Sequence, residues 1–246
     1  MKNKISFHHL GNYFIAIKPL AQLLGCEVIV PPPITKKTME IGCKYSPESV
    51  CVPFKYQIGN YIEAIEKGAN ILVQAGGGCR FGYYAEVQEQ ILKDLGFKVS
   101  FLKMQNNYSL IALIKRIKQL NPKVGYLSLL KAVRIAFNKA VAIEDMEDII
   151  RKNIGFEQDD GEFERNHRIF LSRLDRAEEI NEIKNLKKEY LNIFSRIKIN
   201  KPENPIRVAI VGEVYVVMNR FPTLTWRKNL EEKELRFTGF LRQQIW

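Results

Sequence analysis

The sequence predicts an α/β protein: a parallel-sheet domain over residues 1–105, a helical region over 106–200, and the start of a second α/β unit over 206–246. Three observations carry this. Short apolar strands alternate with helical patterns in the first part, which is the signature of β-α-β units. From Tyr108 the apolar spacing becomes helical almost throughout. After the linker-like NKPENP (200–205), RVAIVGEVYVVMN returns to strand character.

The elements follow in order. KISFH (4–8) is an opening strand, and HHLGN is the loop after it. A helix is predicted from Tyr13 to Leu24, with Gly25 suited to the position after its end and Pro19 kinking it or marking a new first turn. Glu27 to Val30 is a second strand, stopped by Pro31, Pro32 and Pro33. Thr35 can cap the short helix of ITKKTMEIG. Ser46 and Pro47 offer another helix start, with serine as N-cap and proline at the first helical position. The periodic run from Phe54 to Lys67 is helical and ends at Gly68, and ANILVQ is a buried-type strand running into AGGG. Gly82 to Leu95 is a helix closed by Gly96, and FKVSFL is the next strand. Helices are then predicted over Tyr108–Gln119, Val124–Asn138 and Ile143–Asn153, followed by one long charge-laced helix from Phe163 to Ile197. Too few residues remain after the linker to finish a doubly wound sheet, so either this last segment pairs with the first domain or, the favoured reading, the second α/β unit is truncated.

Composition narrows the class. With 46% hydrophobic and 26% charged residues in 246, the chain is globular rather than disordered. MKNKISFHHLGNYF lacks the apolar core of a signal peptide, and no run approaches the ~18 apolar residues of a membrane span. A cytoplasmic protein with reduced or metal-bound thiols is the expectation. The net charge of +11 is spread over residues such as Lys115, Arg116, Lys118, Lys184, Lys187 and Lys188. That dispersal fits a solvated surface or attraction of an anionic ligand, such as a nucleotide-bearing thioester. Nucleic acid recognition calls instead for a basic stripe interleaved with aromatics. The H-E-x-x-H, G-x-S-x-G and Walker A patterns do not occur.

The chemistry concentrates in Cys51 to Tyr84, where Cys51 and Cys79 frame a helix and a strand, and Gly76, Gly77 and Gly78 precede the second cysteine. A cysteine at a strand-to-helix loop or a helix N-terminus can be a nucleophile or a metal ligand, and an isolated cysteine can equally pack as a small hydrophobe. Two thiolates do not complete four ligand positions, which makes Cys43 a third candidate; Cys26, opening an apolar strand, reads as core. The glycine run suits either a phosphate-cradling loop or a tight turn. Arg80 can take a phosphate or carboxylate, or form a surface ion pair. His8 and His9 follow the first strand at the edge where α/β sheets hold ligands, and Asn12 in the same loop serves a site or a helix cap. Glu213 and Tyr215 occupy the corresponding loop of the second unit.

These residues also carry a resemblance. HHLGN (8–12), VIVPPPITKKTMEIG (28–42), SPESVCVPFKYQIGNYIEAIEKGA (46–69) and CRFGYYAEVQEQILKDLGF (79–97) resemble the acyl-CoA dehydratase activase-related proteins of anaerobic bacteria, also called CoA-protein activases. These are relatives of the 2-hydroxyacyl-CoA dehydratase subunits. GEVYVVMNRF (212–221) is similar to the start of that family's second domain. The resemblance implies Rossmann-like domains holding an oxygen-sensitive iron–sulfur cluster of the 4Fe-4S type. It also implies a coenzyme A thioester as substrate and an ATP-dependent activator protein as partner; a homo- or heterodimer is a further expectation. By motif, Cys51 and Cys79 become cluster ligands, and His9, Asn12, Lys55, Asn60, Arg80 and Tyr83 line the site; His9, and Glu213 from its loop position, are the catalytic candidates. The loop AGGGCRFGYY is shorter than the family's GGxGPCRFGYY.

Overall fold

The computed structural model describes residues 3–75, 80–104 and 121–201. Four parallel strands, β1 (Lys4–Phe7), β2 (Glu27–Val28), β3 (Ile71–Ala75) and β4 (Ser100–Met104), form one sheet in the order β2-β1-β3-β4. The order reverses between β1 and β3, which makes the carboxyl ends of those strands the topological switch point of an α/β sheet. Helices α1 (Phe14–Leu23), α2 (Lys36–Tyr45), α3 (Val52–Glu66) and α4 (Tyr84–Asp94) connect the strands. The α/β class is as predicted.

Local chemistry explains several boundaries. Thr35 caps α2 through a reciprocal pair, its hydroxyl accepting from the Thr38 N–H at 3.3 Å while its own N–H donates to the Thr38 hydroxyl at 3.0 Å. That Thr38 hydroxyl then donates to Glu63 of α3 at 2.8 Å, joining the two helices. Gly68 and Gly96 follow α3 and α4 with φ of 97° and 84°, a conformation that glycine reaches without strain.

Other boundaries differ from the sequence reading. Ser46 ends α2 rather than starting a helix; α3 begins after Cys51, with Pro53 in its first turn. Strand β4 lies at 100–104 instead of 97–102 because its register is set by β3, Ile71 opposite Ser100 through Ala75 opposite Met104. The β2 strand is only two residues long, pairing with Lys4 and Ile5 of β1 before the proline run.

The close approach of α2 to α3 depends on two glycines. A Cβ on Gly42 would fall 1.9 Å from the Lys55 carbonyl oxygen, and one on Gly59 would fall 2.0 Å from that of Thr38. The paired backbones leave no room for a side chain. Held this way, α3 is enclosed from Phe54 to Ala64 save for Lys55, and Phe54, Ile58, Tyr61, Ile62 and Leu72 form the core with Leu92 of α4.

The chain divides into two compact units, Met1–Val133 and Arg134–Trp246. The helical region contains α5 (Tyr126–Asn153), α6 (Glu162–Arg176) and α7 (Ile180–Arg196). Two predicted helices merge in α5, because Lys139, Ala142, Ile143 and Met146 continue one buried stripe across the supposed gap. The single long helix predicted over 163–197 is instead two. Ala177, 1% exposed, turns extended after α6, and the buried ammonium of Lys139 donates to the Asp175 carbonyl at 3.1 Å near that helix end. Phe163, Phe170, Tyr190 and Phe194 pack between α6 and α7 in tilted and edge-on pairs.

Candidate functional site

The residues singled out by sequence fall into two groups along α3. The first lies at the switch point. Directly after β1, Gly11 takes a φ of 56° and the Tyr13 N–H returns to the Leu10 carbonyl at 3.2 Å, so the HHLGN loop is a tight turn. Asn60 of α3, fully enclosed, secures that turn. Its Oδ1 accepts the His9 backbone N–H at 2.9 Å, and its Nδ2 donates to the Pro32 carbonyl at 2.7 Å. The segments after β1 and β2 are thereby tied to one helix, with both ends of the amide engaged. Burial lowers the pKa of His8 to about 4, with the neighbouring His9 adding to the effect. Burial likewise lowers His9, opposed by a hydrogen bond to the Pro31 backbone. Both imidazoles are therefore neutral at pH 7.

The second group sits at the N-terminal end of α3. Cys51 is the N-cap residue in extended conformation (φ −69°, ψ 157°), exposed, and its side chain caps no backbone N–H. It lies at the positive end of a 15-residue helix. Its sulfur contacts the hydroxyl of Tyr84, the first residue of α4. Tyr84 is itself buried and meets Phe54 edge-on, ring centroids 4.9 Å apart. One turn further along, Gln88 of α4 donates to Gln57 of α3 at 2.9 Å. Both amides are fully buried, and Gln57 Nε2 and Gln88 Oε1 have no hydrogen-bond partner among the described residues. Beyond them the Tyr61 hydroxyl reaches Gln74 at 2.8 Å and the Val73 carbonyl at 3.0 Å, at the end of β3. A line of buried polar side chains thus runs down α3 from the thiol to the sheet edge.

The two groups are separate. Asn60 is nine residue steps from Cys51, about 13 Å along the helix axis. Lys55 is one turn into α3. Cys43 is exposed near the end of α2, and its charge adds to the burial that raises the pKa of Tyr56. Asn12 contributes its backbone carbonyl, which accepts the Ile15 N–H at 3.2 Å, while Tyr13 is the N-cap of α1. Tyr83 is 74% exposed, and its neighbour Tyr84, which sequence reasoning passed over, contacts the thiol. The signal for Tyr84 was available in its spacing: Tyr84, Gln88 and Leu92 share the buried face of α4. Arg80 lies in a short 3-10 turn, Arg80–Tyr83, that leads into α4. Cys79, the glycine run, Glu213, Tyr215 and the helix predicted at 108–119 lie outside the described residues. Among the described residues no three His, Cys, Asp or Glu side chains gather into a metal-binding group. No helix among them is long and apolar enough to cross a membrane.

No known family model matches the chain, and a search of curated proteins finds no similar sequence.

Proposed function

We propose that this is an iron–sulfur protein of the 2-hydroxyacyl-CoA dehydratase superfamily, cytoplasmic, acting with an ATP-dependent activator protein in low-potential electron transfer or radical dehydration of a coenzyme A thioester. The observation that carries the reading is the position of Cys51. The helix α3 runs back against the strands, so its N-terminus projects on the carboxyl side of the sheet, where α/β proteins place ligands. There an exposed thiol at a positive helix end suits a thiolate ligand. Cys51 and Cys79 are the proposed ligands, with Cys43 a third candidate. Since the described residues do not by themselves gather three metal-binding side chains, the ligand set depends on Cys79. A bound cluster would supply a low-potential electron.

The chain's own residues have distinct parts in this reading. Lys55 and Arg80 balance the negative charge of thiolates. Asn60 holds the loop after β1 in place, and His9, neutral at pH 7, faces the work of accepting a proton alongside Glu213. A second reading, a family member that acts as a partner or structural subunit without a cluster, is favoured by one observation: the Cys51 thiol already contacts the Tyr84 hydroxyl.

The two readings separate on iron. Protein purified without oxygen should contain iron and sulfide in equal amounts and give a cluster signal in electron paramagnetic resonance after reduction. Cys51→Ala and Cys79→Ala should each lose most of that iron. Wild-type protein that takes up no iron on anaerobic reconstitution overturns the cluster reading. Unchanged iron in both variants overturns the ligand assignment alone.

A further inference from the structure

Cys51 stands at a helix end that withholds the hydrogen bonds such an end normally offers. An N-cap side chain accepts from the backbone N–H of the second or third helical residue. In α3 those residues are Pro53 and Phe54. Pro53 has no N–H, and the Phe54 N–H turns to the Cys51 carbonyl oxygen at 3.1 Å. The sulfur accordingly caps no backbone group of its own helix. A donor to this sulfur has to come from another element.

Tyr84 of α4 is that donor. Its hydroxyl contacts the Cys51 sulfur, and once the thiol has lost its proton only the phenol has one to give. The ring is 7% exposed and meets Phe54 edge-on. One turn along α4, Gln88 donates to Gln57 of α3 at 2.9 Å, and a turn beyond that Leu92 joins the core around Phe54, Ile58 and Tyr61. Tyr84, Gln88 and Leu92 therefore fasten one buried face of α4 to α3. The hydroxyl sits at the end of that face, fixed by packing rather than by the reach of a flexible side chain. A thiolate sulfur has more than one lone pair, so accepting this hydrogen bond leaves it able to bond iron.

We propose that Tyr84 is a positioning residue for the metal centre: its hydroxyl donates to the Cys51 thiolate in the loaded protein and raises the reduction potential there. The inference rests on the iron–sulfur reading of Cys51. An added electron makes the ligating sulfur more negative, so a donor aimed at it stabilises the reduced form more than the oxidised one. Tyr84 thereby favours arrival of the electron from the activator, by a hydrogen bond that the proline at the head of α3 prevents the backbone from making.

The test measures the reduction potential of the full chain, reconstituted without oxygen, by a mediated titration read in electron paramagnetic resonance. Tyr84→Phe deletes the hydroxyl alone and should lower the potential by several-fold to about tenfold in the reduction equilibrium, the latter being about 59 mV for one electron. A ring-fluorinated tyrosine at position 84 is a more acidic phenol and a stronger donor. Below the pH at which that phenol titrates, it should move the potential the opposite way. Loss of packing does not produce shifts of opposite sign, so the pair separates the hydrogen bond from a structural role. Loaded Tyr84→Phe with the potential of wild type overturns the proposal and leaves the iron–sulfur reading standing. An unchanged or lowered potential in the fluorinated protein overturns it too, whether or not Tyr84→Phe still takes up iron. Wild-type protein that takes up no iron overturns the iron–sulfur reading and this role of Tyr84 with it.

Discussion

Replacing Gly59 with alanine tests the contact that holds α3 in place. On helix propensity alone the change should stabilise the protein by about 1 kcal/mol. The structure reverses the sign. The new Cβ would lie 2.0 Å from the Thr38 carbonyl oxygen, 2.9 Å from its carbon and 3.1 Å from Thr38 Cγ2. The first two obstacles are backbone of a capped helix, so no side chain can rotate away, and α2 and α3 must part by about 1 Å or more to restore ordinary contact distances. Overpacking of this kind costs about 1–3 kcal/mol, and two rigid backbones place it at the upper end. Subtracting the propensity gain leaves a net loss of about 2 kcal/mol. In urea unfolding followed by circular dichroism, with a slope of about 2 kcal/mol per molar, the midpoint should fall by about 1 M. Gly42→Ala should behave alike, since its Cβ would meet the Lys55 carbonyl oxygen at 1.9 Å. Gly125→Ala, whose nearest neighbour is Ser128 Oγ at 3.9 Å, should change little. A midpoint that rises in Gly59→Ala would refute the close-packed α2–α3 contact.

Three further predictions concern the candidate site. Asn60→Ala strands the part-buried His9 N–H and Pro32 carbonyl and should destabilise by about 1–3 kcal/mol; a loss under about 0.5 kcal/mol in the same urea assay would contradict the clamp. Tyr84→Phe removes the hydroxyl that touches Cys51, so alkylation of Cys51 by iodoacetamide, followed peptide by peptide to separate it from exposed Cys43, should quicken several-fold with the fold retained. An unchanged rate means the hydroxyl does not restrain the thiol. Burial, with the neighbouring His9 adding to it, lowers the His8 pKa in the folded protein to about 4, against about 6.5 for an exposed imidazole. The unfolded chain therefore binds the proton first, and the stability present above pH 6.5 declines as pH falls toward 4, by about 2–3 kcal/mol. His8→Gln should flatten that part of the pH profile, and an identical acid slope in wild type and variant would exclude His8 as its source.

Much of the fold is legible in local signals. Alternating short strands and helices give the α/β class, Thr35 announces the start of α2, and Gly68 and Gly96 mark helix ends, because each acts within a few residues of chain. Cys51 was readable as a thiol near a helix start for the same reason. Where two segments compete for one partner, local pattern misplaces the boundary. Phe97 to Met104 is apolar enough to begin a strand anywhere, and pairing with Ile71–Ala75 chooses 100–104. The α6–α7 break has no glycine or proline to signal it; the backbone turns extended at Ala177, which is buried.

The site divides in the same way. Local pattern already places the residue types at the sheet edge and at the head of α3: the paired histidines, the asparagine and the cysteine. Packing between elements decided that Asn60 fastens two loops, that Tyr84 rather than Tyr83 meets Cys51, and that the His9 loop is tied to α3 about 13 Å along the helix from Cys51. Those outcomes depend on how closely α2 and α4 approach α3. That distance is set by Gly42, Gly59 and the side chains of three helices at once, and no single stretch of chain encodes it.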